Sequence, residues 1–118
     1  MCYSSMRTTK NPILDLSYSF ALQIIDIAVQ IKRSNYVVGN QLMKSGTSIG
    51  ANVKEAQNAQ SKKDFIAKMY IAFKEAGETE YWLEISRDKK YIDSQTFQNA
   101  YSSINQILRL LNSITKGS

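Results

Sequence analysis

The stretch SGTSIGANVKEAQNAQSKKDFIAKMYIAFKEAGETEYWL, residues 45–83, decides the fold of this chain. Small residues come first, at helical spacing, and Ser61 follows, with Asp64 placed as its partner in a capping box. Beyond Ser61 the apolar residues recur at steps of three and four, which is the period of an amphipathic helix. The stretch therefore predicts two helices joined by a short turn.

The first of these two helices has to run through Gly46 and Gly50. Each glycine costs a helix about 1 kcal/mol relative to alanine, so a break within SGTSIG is the rival interpretation. The apolar stripe keeps its phase from Leu42 to Val53, which favours one continuous helix over residues 37–58. Both glycines then share one face, where we expect them to pack closely against a neighbouring helix.

A further helix is predicted on each side of this pair. Asn11 is a good N-cap, and Pro12 fits the first position of a helix that ends near residues 32–34. A last helix begins at Asp93 or Ser94, and its apolar stripe continues almost to the end of the chain.

The connections between the four helices are short, and short connections make neighbouring helices antiparallel. We therefore expect an all-α fold, an antiparallel up-down-up-down four-helix bundle over residues 13–116. Residues 1–12 are expected to form a flexible N-terminal segment. A chain of 118 residues suits one domain, and its 43% apolar and 21% charged residues indicate a globular protein.

The residue types that are missing exclude several kinds of chemistry. The chain has no histidine and a single cysteine, Cys2, which excludes a disulfide framework, Cys-based zinc sites and His-assisted nucleophilic catalysis. Polar residues interrupt the apolar stretch over residues 13–31, so we do not expect a membrane span. These observations predict a cytoplasmic protein that is not an enzyme and has no catalytic residues, metal or cofactor.

Charge is unevenly distributed along the middle of the chain. Residues 44–74 hold six lysines and two acids, whereas residues 75–88 hold five acids and one arginine. The third helix is then basic at its start and acidic at its end, which opposes its own dipole. That arrangement indicates an outside partner, either nucleic acid or another subunit.

Two interpretations of these charges remain open. The candidate residues for phosphate contacts are Lys54, Lys62, Lys63 and Lys68, with Arg7 and Lys10 added from the N-terminal segment. Alternatively, the same lysines pair with the acids of another subunit, at Glu78, Glu80 and Glu84. A metal site at these acids is not expected, because histidine is absent and Glu55 is the one glutamate outside the acidic run.

Several short motifs stand out along the chain, namely Ser48-Ile49-Gly50-Ala51-Asn52, Glu55-Ala56, Phe65, Glu75-Ala76 and Glu80-Tyr81-Trp82-Leu83. Together they resemble the 23S rRNA intervening-sequence protein family. The resemblance covers residues 13–113, nearly the whole chain, and departs from the usual pattern at Gly77, which stands where a better helix former is expected.

The resemblance implies a four-helix bundle that assembles as a ring, with a homopentamer favoured, and it carries over no catalytic residues. A related branch, the accessory variability proteins of diversity-generating retroelements, consists of basic pentamers that bind nucleic acid and a reverse transcriptase. We therefore expect a non-enzymatic oligomer that binds RNA or DNA through its lysine-rich surface. The alternative is a protein-interaction or structural ring with no nucleic-acid role.

Overall fold

The computed structural model describes residues 9–116, and within that range it contains four α-helices and no strand. The helices are α1 (Pro12–Lys32), α2 (Tyr36–Ala56), α3 (Lys62–Asp88) and α4 (Ser94–Lys116). The all-α prediction is confirmed, and α2 is continuous through SGTSIG. Its last regular turn ends slightly before the predicted boundary, because the next N–H groups tighten into bonds of the i to i+3 type.

Each helix begins at a polar side chain that accepts a hydrogen bond from the first turn. The caps are Asn11, Asn35, Ser61 and Asp93, and they accept from the N–H groups of Leu14, Val38, Asp64 and Thr96. The bond from Thr96 lowers the pKa of the Asp93 carboxyl, because it stabilises the charged form. These local caps explain why the helices start where the sequence pattern places them.

The end of α3 forms a Schellman motif. Lys90 adopts a left-handed conformation with φ of 60°, and Tyr91 N–H donates to Ser86 O at 2.9 Å. Lys90 N–H donates to Arg87 O at 3.0 Å, so two of the last carbonyls of α3 have partners. The chain therefore turns sharply into the short connection before α4.

All four helices contribute to one apolar core. α2 packs against α1 and α3, and α4 packs against α3 and α1. The largest fully buried apolar side chains are Phe20, Ile24, Ile31, Leu42, Ile49, Val53, Met69, Leu83, Ile104, Ile107 and Leu111. By length and composition α1 could cross a bilayer, but those properties are equally those of a core helix, and α1 supplies several of these buried residues.

Hydrogen bonds between distant residues show which helix ends lie together. Asn11 Nδ2, at the start of α1, donates to Gln57 Oε1 at the end of α2, with a distance of 3.1 Å. Asn35 Nδ2, in the connection from α1 to α2, donates to Tyr91 Oη at 3.1 Å. The start of α1 therefore lies beside the connection from α2 to α3. The end of α3 lies beside the connection from α1 to α2.

Glycines bring α2 very close to α1. A Cβ atom built on Gly46 would lie 2.5 Å from Ile24 Cγ2, and one built on Gly50 would lie 3.2 Å from Ser17 O. The sequence analysis did not single out Gly39, where a Cβ would lie 2.8 Å from Lys32 N. Backbone approaches backbone at both ends of this interface, and a side chain at Gly39 or Gly46 has no room.

Candidate nucleic-acid interface

Three of the candidate lysines lie where α2 passes into α3. Lys54 is in the last turn of α2, and Lys62 and Lys63 open α3. All three side chains are exposed, and none makes an ion pair with another residue in the range 9–116. The short turn between the two helices keeps the three charges at one end of the molecule.

Two further lysines join this end from the other helices. Lys10 is exposed and directly precedes Asn11, whose side chain is hydrogen-bonded to Gln57 at the end of α2. Lys116, at the end of α4, lines the same groove as Lys63. We call Lys10, Lys54, Lys62, Lys63 and Lys116 the lysine cluster. Arg7, the remaining candidate, lies outside the described residues.

Lys68 has a different environment from the lysine cluster. Its Nζ lies 3.5 Å from Glu55 Oε1 and 3.7 Å from Asp64 Oδ1, and its side chain is 27% exposed. The ammonium group therefore links the end of α2 to the first turns of α3 and is shared by two carboxylates. Because its charge is already paired, we expect Lys68 to contribute less to an anion site than the exposed lysines.

The start of α3 adds its own positive potential to the cluster. The first N–H groups of a helix point outward, and the aligned peptide dipoles place roughly half a positive charge at that end. Lys62 and Lys63 lie on this first turn, so they repel the dipole and each other. The acid of this turn, Asp64, is paired with Lys68, so a phosphate that approaches Lys62 and Lys63 would relieve both repulsions.

A groove between α3 and α4 opens beside the lysine cluster. It has a volume of about 530 Å³ and is lined by Lys63, Ile66, Ala67, Tyr70, Phe73, Asn112, Thr115 and Lys116. Its floor is apolar, and both of its charged lining residues are lysines. Concave apolar sites with a few polar groups are typical of ligand-binding surfaces.

The acidic run occupies the middle and end of α3. Burial, and secondarily the charge of Glu78, raises the pKa of Glu75. Glu78 Oε1 accepts a hydrogen bond from Trp82 Nε1 at 3.4 Å, and Glu84 Oε2 accepts one from Tyr101 Oη at 3.5 Å. The charges of Glu80 and Glu84 raise the pKa of Tyr101, with Glu80 the larger influence.

None of the glutamates in this run makes an ion pair with a residue in the described part of the chain. No group of three or more acidic, histidine or cysteine side chains converges there in a way that could hold a metal ion. We call these four carboxylates the acidic surface of α3, which lies apart from the lysine cluster. It has two sides, because Glu75 lies with Glu78 whereas Glu80 and Glu84 lie near Tyr101 of α4.

The structure brings together residues that sequence reasoning did not connect. Lys116 is distant from Lys63 in the chain, and no periodic pattern links the two. The opposite end of the molecule also carries exposed cations, at Arg33, Lys89 and Lys90, which the sequence analysis did not single out. Only packing of the helices shows that these cations lie away from the lysine cluster.

Comparison with known proteins identifies the family. The family model described as 23S rRNA-intervening sequence protein matches residues 9–113. A solved structure is similar over 88% of this chain and 98% of its own, with 42% identity and a TM-score of 0.85. That structure is a protein with unknown function from the S23 ribosomal protein family of Bacteroides thetaiotaomicron VPI-5482. A search of curated proteins gives no match.

Proposed function

Because the chain belongs to the 23S rRNA-intervening sequence protein family, we propose that it is a non-enzymatic oligomer that binds RNA or DNA. The observation that carries this proposal is the lysine cluster, which gathers exposed cations from α2, α3, α4 and the residues just before α1 at one end of the molecule. Phosphate contacts of this kind supply most of the affinity in sequence-independent binding.

The proposed architecture is an antiparallel up-down-up-down bundle. Contacts between α1 and α2 support it, because Gly39 lies near Lys32 whereas Gly50 lies near Ser17. Residue numbers therefore rise along α2 as they fall along α1. Contacts between α3 and α4 support the same direction, since the groove places Lys63 with Lys116 at the start of one helix and the end of the other.

The proposed assembly is a ring formed by copies of this chain, with a homopentamer favoured by the family resemblance. An apolar stripe on α1 supports association. Tyr18, Ile25 and Val29 share one face of that helix and are 38%, 38% and 45% exposed. The unpaired acidic surface on α3 supports it as well, because cations of a neighbouring copy would balance it. A ring would also repeat the lysine cluster around its axis and multiply the local positive charge.

A salt titration tests the binding function. We expect the full-length protein to bind structured RNA and duplex DNA weakly, with affinity that falls steeply as salt rises. A plot of the logarithm of the association constant against the logarithm of the salt concentration has a slope of about −0.9 for each phosphate neutralised on duplex DNA. Replacing Lys62→Ala and Lys63→Ala together should make the slope shallower and weaken binding on all sequences about equally, because phosphate contacts carry no base information.

The matched control is the double variant Arg33→Ala and Lys89→Ala, which removes the same charge from the opposite end of the molecule. We expect the affinity and salt slope of this control to lie closer to those of the parent than the values for the Lys62→Ala and Lys63→Ala double variant do. Light scattering on all three proteins reports the mass of the oligomer. Equal losses of affinity in both double variants would contradict an interface at the lysine cluster, and no binding by the parent at low salt would refute the nucleic-acid function.

The second candidate function is a protein-interaction or structural ring without nucleic acid. The exposed apolar stripe on α1 is the observation behind it, because exposed apolar side chains suit contact with a protein rather than with phosphates. Under this alternative, Lys62 and Lys63 pair with the acidic surface of another subunit. The double variant would then lower the oligomer mass and leave any low-salt affinity for nucleic acid unchanged.

A further inference from the structure

We propose that the groove between α3 and α4 holds an unpaired nucleotide of a single-stranded nucleic acid, with Tyr70 as the stacking surface and Lys63 and Lys116 as phosphate contacts. This inference rests on the proposed function and makes it specific, because it assigns a strand form and a base-contacting residue. The lysine cluster alone would attract single strands, duplexes and other polyanions without distinguishing between them.

The Tyr70 side chain is placed as a stacking surface. Its ring lines the groove and is 52% exposed, although tyrosine would gain from burying its ring. Phe73 supports it from the same helix, with ring centroids 6.2 Å apart. An exposed ring with an apolar floor can receive a flat base, and stacking of a base on an aromatic side chain stabilises single-stranded complexes whatever the sequence.

The charges around the groove match the phosphates on either side of such a base. Lys63 comes from the start of α3 and Lys116 from the end of α4, so the two cations approach the groove from different helices. The described residues that line it include no aspartate or glutamate. Asn112 adds a side-chain amide, which can donate to and accept from the edge of a base.

The groove continues along α4, which gives a strand a path. A second depression is lined by Phe73, Asn105, Leu108, Arg109 and Asn112. It shares Phe73 and Asn112 with the groove and adds the exposed cation Arg109. A chain of nucleotides that leaves Tyr70 would therefore meet another positive charge.

Single strands fit this surface better than duplexes. The bases of a duplex are paired and stacked on each other, so an aromatic side chain reaches a base face only after the base is unpaired and unstacked, which costs free energy. Unpaired bases carry no such cost. The groove should therefore add affinity for single strands beyond what the lysines add for both forms.

The test compares an oligothymidylate, an oligouridylate and a duplex of equal length, each titrated with salt against the full-length protein. Tyr70→Leu should weaken single-strand binding about tenfold at every salt concentration, because it removes stacking rather than charge. Its salt slope should match that of the parent. Lys63→Ala and Lys116→Ala should each make the single-strand slope shallower by about 0.7.

Two control variants make the Tyr70 result specific. Tyr70→Phe keeps the ring and should bind as the parent does. Tyr81→Leu removes another exposed tyrosine of α3, 55% exposed and outside the groove, and should also leave single-strand affinity unchanged. Duplex affinity should be the same for the parent and all three tyrosine variants.

Several outcomes would overturn the groove assignment while leaving the binding function intact. One is an equal effect of Tyr70→Leu on single strands and duplex, and another is no effect on either. A lower oligomer mass for Tyr70→Leu would mean that a second copy of the chain covers the groove. Parent protein that binds neither form at low salt would instead refute the proposed function itself.

Discussion

The interface between α1 and α2 differs in kind from the interface between α3 and α4. In the first, glycines on α2 let two backbones meet, and a Cβ at Gly39 or Gly46 would approach atoms of α1 within 3.0 Å. In the second, the aromatic side chains of Tyr70 and Phe73 lie beside an open groove. Close backbone approach leaves no room for a ligand, whereas large side chains at the edge of a looser interface leave a concave surface. The first interface is therefore sensitive to any added atom, whereas the second leaves the concave surface on which the proposed binding rests.

The largest expected effect comes from adding one methyl group to the tight interface. Gly39→Ala places a Cβ 2.8 Å from Lys32 N and 2.9 Å from Ala28 O, which are backbone atoms of α1 that cannot rotate away. We expect a loss of about 1–3 kcal/mol in the free energy of unfolding, measured by denaturant unfolding monitored by circular dichroism. This is the net loss, since the steric cost should outweigh the gain of about 1 kcal/mol that alanine brings to a helix.

Gly50→Ala tests the same interface at a position where the two helices are less tightly packed. Its Cβ would lie 3.2 Å from Ser17 O, so a small adjustment suffices and the better helix propensity of alanine offsets part of the cost. We expect it to be less destabilising than Gly39→Ala. If both variants unfolded as the parent does, the contact between α1 and α2 would not be the tight one described above.

Gly77 offers the opposite expectation on α3. A Cβ built there meets no atom within 4 Å, so Gly77→Ala should stabilise the protein by about 0.5–1 kcal/mol through helix propensity alone. The same unfolding measurement checks this value, and light scattering checks the mass. A loss of stability together with a lower mass would show that another subunit packs on this part of α3.

The smallest expected effect concerns Glu75 and depends on pH. Burial, and secondarily the charge of Glu78, raises the pKa of Glu75 above its ordinary value of 4.5, and Lys74 partly opposes this. The folded protein then holds the proton more tightly than the unfolded chain does. Stability that is present at low pH is therefore lost as pH rises through the ordinary value towards the raised one.

Glu75→Gln should consequently raise the melting temperature at neutral pH, because glutamine carries no charge to bury. Well below pH 4.5 the Glu75 carboxyl is protonated in the folded and the unfolded protein alike, so the difference between the two proteins should shrink. Glu78→Gln, which removes the neighbouring charge instead, serves as the control and should give part of the same gain. A Glu75→Gln variant less stable than the parent at neutral pH would contradict the direction of the pKa shift.

The sequence by itself determined the features that depend on neighbouring residues. The capping residues Asn11 and Ser61, the proline at the start of α1 and the phase of apolar residues through Gly46 and Gly50 are short-range signals, and they predicted four helices close to their observed bounds. The family was also recognisable, because its motifs are short and contiguous. Asn35 is a further cap with the same chemistry that the sequence analysis did not identify, and the predicted start of α2 at residue 37 lies one residue after the observed start at Tyr36.

Tertiary structure decided which distant residues meet. That Lys68 is paired with Glu55 while Lys62 and Lys63 are not depends on how α2 and α3 lie against each other, and the meeting of Lys63 with Lys116 depends on the packing of α4. Gly39 was likewise distinguished from Gly77 only by the presence of α1 beside it. Periodicity specifies the face on which a side chain lies, but the partner across that face is set by the packing of the whole core.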